Sequence, residues 1–160
     1  LRERVPGFEL TVNLLEKLKD TEKKVFFFGG APGVSKKAAE EMAKKFQGLK
    51  IAGTRNGYFS PAKEQGIIDE INASGTDLLL VGLGAPKQEK WIFDNLEKLC
   101  AKVYIGIGGS FDVMAGNVKR APKIFQKLGL EWFYRLITQP TRFKRMMKLP
   151  LFVVEVIKNR

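Results

Sequence analysis

Gln88, Glu89, Asp112, Asn117 and Arg120 stand just beyond two glycine-rich breaks, each at the end of an apolar, β-prone run. Residues 81–92 read VGLGAPKQEKWI and residues 105–122 read IGIGGSFDVMAGNVKRAP. A buried parallel strand has this look where its carboxyl end opens into a ligand crevice. Glycine lets a backbone approach a ligand closely, and the amides that open the next helix favour an anion such as a phosphate. Two such loops in succession, with donors and acceptors behind them, point to a nucleotide-type pocket.

Each of these side chains has two readings. Gln88, in the first turn of a helix, can donate to and accept from a phosphate or sugar. The same position suits an ordinary polar helix start, with Glu89 favoured by the dipole. Asp112, just past a strand, can bind ribose hydroxyls or cap a helix. Tyr58, in the turn Arg55-Asn56-Gly57-Tyr58-Phe59, can stack on a base or pack. Arg120 can pair with a phosphate or lie on a solvated face. Of the glycines, Gly82-Leu83-Gly84-Ala85-Pro86-Lys87 keeps the first two of a dinucleotide motif and has Lys at the third. Gly29-Gly30-Ala31-Pro32-Gly33 fails that spacing, and no G-x-x-x-x-G-K-[ST] occurs. Taken singly, these glycines can also be plain strand-to-helix turns.

Composition removes other chemistries. There is no histidine, which excludes Ser-His-Asp and Cys-His catalysis and any imidazole zinc site. A general base must then be Asp, Glu, Lys or Tyr. The single cysteine, Cys100, excludes an internal disulfide and fits a reducing compartment; its apolar surroundings in sequence predict a buried, inert thiol. The longest apolar run, 149–157, contains Pro150 and Glu155 and is about half of the ~20 residues that a spanning helix needs. No signal peptide is visible, and the start at Leu1 with Arg2, Glu3 and Arg4 reads as a piece of a longer protein.

The elements that must position the site alternate. Apolar spacing predicts helices over 10–19, 35–46, 61–73 and 87–99, and strands over 24–28, 49–52, 77–81 and 103–107. The 160 residues, 44% hydrophobic, suffice for one core. Strand–helix alternation of this kind predicts an α/β fold: a Rossmann-like parallel sheet flanked by helices, occupying residues 1–121.

Beyond Gly116 the pattern changes. Residues 122–128, 130–138, 142–149 and 151–158 read as short helices separated by Gly129, Pro140 and Pro150. From Lys119 onward, eleven Lys/Arg against two acids give +9 of the total net charge of +11, leaving +2 for the rest. Phe143, Met146, Met147 and Leu149 form one arc of a helix, and Lys144, Arg145 and Lys148 the other, the pattern of a segment lying on an anionic membrane. Residues 122–160 thus read as a C-terminal basic helical appendage. Trp132, Phe133 and Tyr134 among these cations also fit nucleic acid. At helical spacing, Leu130, Phe133, Leu136 and Ile137 read rather as packing residues, and no nucleic-acid partner is expected.

The succession Phe28-Gly29-Gly30, Asn56-Gly57-Tyr58-Phe59, 81–92, 105–122 and 130–136 (LEWFYRL), followed by Gln139-Pro140, closely resembles the WecG/TagA/CpsF glycosyltransferase family, over essentially the whole chain. The resemblance implies an inverting transfer of a sugar, commonly N-acetylmannosamine, from a UDP-sugar to an undecaprenyl-diphosphate-linked acceptor in wall teichoic acid or related polymer synthesis. It places the protein in the cytoplasm, peripheral on the inner face of the bacterial plasma membrane and held there through residues 122–160. It implies no metal and no cofactor besides the donor. It gives catalytic roles to Arg4, Gln88, Arg135, Arg142 and Arg145, and lines the nucleotide pocket with Gly29, Tyr58, Gly84, Gly108 and Asp112. The family's presumed base is an aspartate upstream of the Arg4 motif, in a segment this chain does not contain, so none of the acids here is assigned that role. Two other classes compete. One is a non-catalytic Rossmann-like module whose basic tail binds nucleic acid or a partner. The other is a nicotinamide oxidoreductase, disfavoured by Lys87 at the third glycine position and by the absence of an acid after Ile51-Ala52-Gly53-Thr54.

Overall fold

The computed structural model describes residues 6–119, 121, 122, 124, 125, 133, 134 and 137. The chain divides into two compact units, Leu1–Val118 and Lys119–Arg160. In the first, the order is α1 (Gly7–Leu18), β1 (Lys24–Gly29), α2 (Val34–Lys45), β2 (Lys50–Arg55), a 3-10 turn (Pro61–Lys63), α3 (Glu64–Ala73), β3 (Leu78–Gly82), α4 (Lys87–Asn95), β4 (Val103–Gly106) and α5 (Ser110–Met114).

The four strands make one sheet in the order β2-β1-β3-β4, with every pairing parallel. This is the α/β arrangement that the alternation predicts. Residues of β1 and β3 alternate between two cores because successive strand side chains face opposite sides. Val25, Phe27, Leu78 and Leu80 pack with Leu15 of α1, Ala38 and Met42 of α2, and Phe111 and Met114 of α5. Phe26, Phe28, Leu79 and Val81 pack with Ile67, Ile68 and Ile71 of α3 and Trp91 of α4. Phe26, Phe27 and Phe28 are all buried, each worth about 1.5–3 kcal/mol of transfer free energy.

Of the boundaries that differ from the sequence expectation, three show a local feature. β2 runs on through Gly53 to Arg55 instead of stopping at Ala52. Its register against β1 slips between Val25 and Phe26, and the Phe26 ring lies where a Cβ on Gly53 would be, 2.5 Å from its Cε2 atom. A glycine in a strand commonly marks such an irregularity or a close approach. α4 ends at Asn95 rather than Leu99, where the N–H groups of Leu96 and Lys98 turn to the carbonyls three residues back, Phe93 and Asn95. α1 begins at Gly7, one turn early, with the Pro6 carbonyl accepting the Leu10 N–H.

Burial corrects three further expectations. Cys100 is exposed, not buried, because its N–H is held by Asn72 Oδ1 in the turn after α4. Leu96, inside the helix expected over 87–99, is instead exposed past the end of the shortened helix. In the second unit, Ile124, Phe125, Phe133, Tyr134 and Ile137 are helical. Phe125 and Tyr134 pack ring to ring, whereas Phe133 and Ile137, expected to pack, are exposed. The rest of the basic amphipathic stretch lies outside the described residues.

At the amino edge of the sheet, Asp77 accepts from the Lys24 N–H at 3.1 Å and from the ammonium groups of Lys102 at 3.0 Å and Lys23 at 3.3 Å. The Lys24 backbone N–H, then Lys102, pull its pKa down to about 2. An acid whose folded pKa lies below its unfolded value of about 3.9 stabilises the fold above that pH. That contribution is lost as the pH falls from about 4 to about 2. Asp77→Asn should therefore flatten the acid limb of the stability–pH profile, read from urea midpoints between those values; an unchanged limb would contradict the assignment. At the other edge, Gly29→Ala should cost at least about 1–3 kcal/mol for an L-residue held at positive φ, since φ there is +132° and a Cβ would lie 2.5 Å from the Gly82 carbonyl carbon. A midpoint within error of wild type would refute the close approach.

Candidate functional site

In the sheet order, the connections from β1 and β3 depart toward opposite sides, so the carboxyl ends of these two strands bound the switch point where open parallel sheets bind ligands. Gly29 of β1 pairs in register with Gly82 of β3 at this point. Neither carries a Cβ, and the backbones meet: the Gly30 N–H donates to the Gly82 carbonyl at 2.9 Å. Gly57, in the loop after β2, donates to the Gly30 carbonyl, also at 2.9 Å. A Cβ on Gly82 would lie 2.6 Å from the Phe111 ring, so this glycine also admits the residue that anchors α5 beneath the crevice. The chain Gly57, Gly30, Gly82 stitches three strand ends together with backbone hydrogen bonds.

Gln88 supplies the other stitch. It lies in the first turn of α4 and is buried. Its Oε1 accepts the Gly108 N–H at 2.9 Å, which ties the β3–α4 loop to the β4–α5 loop. Its Nε2 donates to Glu89 Oε1 at 2.8 Å. The side chain lies over Gly106, where a Cβ would be 2.7 Å from Nε2. Gln88 thus opens α4 as a buried side chain, not a solvated one. Gly84 (φ +79°) precedes a cis Ala85–Pro86 bond and accepts the Gln88 N–H, and Gly108 has φ +52°. Both are positive-φ positions that suit glycine.

The remaining predicted residues fall around this line. Tyr58 is 75% exposed on the loop that Gly57 ties to Gly30, so it is free of the core-packing role. Its N–H donates to Asn56 Oδ1 at 3.0 Å, which turns the loop locally. Its neighbour Phe59 packs on Phe28, and Lys87 Nζ sits 5.2 Å from the Phe59 ring centroid. Asp112 is half-buried in the first turn of α5; Gly109 occupies the cap position. The Asp112 carbonyl accepts the N–H groups of Asn117 and Val118. Asn117 Oδ1 accepts from Lys37 Nζ at 3.0 Å. Arg4, Arg120, Arg135, Arg142 and Arg145 lie outside the described residues.

Two residues at the crevice were not singled out by sequence as partners. Arg55 ends β2 and pairs with Glu70 of α3 at 2.6 Å; the only signal was a charge beyond a strand judged too short. Glu89 appears in sequence as a dipole-favoured acid, and nothing in its spacing shows that it receives the Gln88 amide. Among the described residues, no group of three or more His, Cys, Asp or Glu is placed to hold a metal ion, and no helix is long and apolar enough to cross a membrane.

Comparison with known proteins gives the arrangement a lineage. The model of the WecG/TagA/CpsF glycosyl transferase family matches residues 1–160. The chain is 42% identical over 159 residues to the N-acetylglucosaminyldiphosphoundecaprenol N-acetyl-beta-D-mannosaminyltransferase of Bacillus spizizenii. That match covers 99% of this chain and 61% of the relative, so the chain spans less than two thirds of that protein's length. A parallel sheet with its glycine-lined switch point, and a family match that runs from end to end, lead to one assignment: the chain belongs to the WecG/TagA/CpsF family of glycosyltransferases.

Proposed function

We propose that the intact protein transfers N-acetylmannosamine from a UDP-sugar to an undecaprenyl-diphosphate-linked acceptor sugar, with inversion, in bacterial cell-wall or surface-polysaccharide synthesis. The observation that carries the reading is the buried Gln88 carboxamide, held beside the glycine-lined switch point by the Gly108 N–H. The name of the Bacillus spizizenii relative, 42% identical, supports the sugar and the acceptor. The UDP moiety is read into the crevice because its floor is bare backbone and because α2 and α4 both begin at that edge, where first-turn amides favour phosphate. Tyr58, exposed at the rim, is the stacking surface for the base, and Asp112 the ribose partner.

The chemistry is a single displacement. The acceptor hydroxyl oxygen attacks the anomeric carbon on the face opposite the diphosphate. The bond from that carbon to the β-phosphate oxygen breaks, and its electron pair leaves with UDP. The hydroxyl proton passes to the aspartate that the family resemblance puts upstream of Arg4. Negative charge grows on the leaving diphosphate, where Arg4, Arg135, Arg142 and Arg145 are assigned and where guanidinium groups stabilise a transition state more than a ground state. The Gln88 amide sets the position of the donor sugar or its phosphate. Residues 122–160 lie on the anionic inner face of the plasma membrane and bring the crevice to an acceptor that stays in the bilayer. No nucleic acid takes part.

Two outcomes are expected. In the full-length protein, Gln88→Ala should lower transfer to the lipid-linked acceptor by roughly tenfold or more, the value of a hydrogen bond to a charged group. Gly106→Ala should act in the same direction by expelling the Gln88 side chain. Transfer at the wild-type rate in both, assayed with labelled donor, would remove Gln88 from the site. For the membrane, each basic residue near an anionic surface contributes about 1 kcal/mol. Replacing Arg142, Lys144 and Arg145 together by Gln should therefore weaken sedimentation with anionic vesicles on the order of a hundredfold. Binding that is unchanged, or equal on neutral vesicles, would contradict the docking role.

A further inference from the structure

A carboxamide has two ends that differ only in which can donate. Gln88 Oε1 faces the Gly108 N–H, a pure donor, and Gln88 Nε2 faces Glu89 Oε1, an acceptor when ionised. Rotating the amide by half a turn would set its oxygen against the carboxylate and its NH2 against the Gly108 N–H, losing both bonds. Gln88 is buried, so water does not make up that loss freely. The bond to Glu89 is charge-assisted, the stronger kind. Nε2 carries a second N–H, for which the described residues supply no partner. Gly106 leaves the amide nitrogen room that a Cβ would take.

We propose that Glu89 is a positioning residue: its carboxylate locks the Gln88 carboxamide in one orientation and keeps the second Nε2 proton available for a donor phosphate or sugar oxygen. The inference rests on the reading of Gln88 as a substrate-contacting residue, and it adds the group that orients it. Glu89 itself takes no proton in the reaction. It sits exposed in the first turn of α4, and its role is discharged through its neighbour's amide. This accounts for an acid beside a site that must hold a diphosphate: the carboxylate is already engaged by a donor and presents the amide's other N–H outward in place of its own charge.

The test pairs a structural readout with turnover. In this chain, hydrogen exchange of the Gln88 side-chain NH2, followed by NMR, should be accelerated about tenfold or more by Glu89→Ala, the loss of one charge-assisted bond. Glu89→Gln, which keeps an acceptor oxygen, should remain within about threefold of wild type. In the full-length enzyme, kcat should fall in Glu89→Ala and be largely restored in Glu89→Gln, with the pH profile of the Gln variant unchanged. Equal loss in both variants, or loss of the acidic limb that a proton acceptor gives to the pH profile, would make Glu89 an acid–base group and overturn the proposal. So would Gln88 NH2 exchange that is indifferent to Glu89→Ala. The two readings fail separately: wild-type turnover in Gln88→Ala would sink the site assignment while leaving the exchange result to judge the lock.

Discussion

The structure depends on two backbones meeting where side chains would keep them apart. Gly29 and Gly82 sit opposite one another at the ends of β1 and β3, and a Cβ on the first would overlap the carbonyl of the second. That approach allows the Gly30 N–H to reach the Gly82 carbonyl, and Gly57 to reach Gly30 in turn. The Phe111 ring then covers Gly82 from the α5 side and stacks on Phe27 at 5.5 Å. Crevice and core are therefore one construction. The same missing side chains that open the carboxyl edge to a ligand also let an aromatic seal the layer below, so these glycines cannot be exchanged for function without a cost to folding.

Gln88 extends that construction across the other half of the edge. A buried carboxamide is expensive unless its polar atoms are matched. Here Gly108 and Glu89 match one acceptor and one donor of the amide, and the remaining N–H is the one that the proposed function turns to the donor substrate. The two loops that hold Gly84 and Gly108 are thereby set relative to each other before any ligand arrives. Preorganised dipoles of this kind do more for a transition state than groups that must first reorient. The basic charge is concentrated elsewhere in the sequence, from Lys119 onward. The proposed nucleotide pocket and the cationic segment proposed to meet lipid therefore come from different stretches of the sequence.

Much of the fold was legible because its signals are local. KVFFF and LLLVG can only be buried strands, and Ile67, Ile68 and Ile71 mark the inner face of α3. The glycines that end β1 and β3 were legible for the same reason. What stayed hidden depends on partners distant in sequence. Gly53 looked like a strand terminator; it is a slot for the Phe26 ring, which no window along β2 contains. Asp77 looked like the first residue of a strand; it gathers Lys23 and Lys24 from one segment and Lys102 from another. Cys100 looked buried because its neighbours are apolar, but Asn72 holds its backbone at the surface. Gln88 stood out by its place in a motif, but neither its burial nor its bond from the Gly108 N–H could be read from spacing. Glu89, its orienting partner, has no signature beyond adjacency.

The central claim is that the four strand ends of this chain form a nucleotide pocket. Titrating UDP into the 15N-labelled chain and mapping the shifted backbone amides tests it most directly. The account predicts saturable shifts confined to Gly29–Gly30, Gly57–Phe59, Gly82–Gln88 and Gly106–Asp112, together with the Gln88 side-chain NH2. Shifts only among residues 119–160, or shifts around Asp77 at the opposite edge of the sheet, or no saturable response at all, would contradict it.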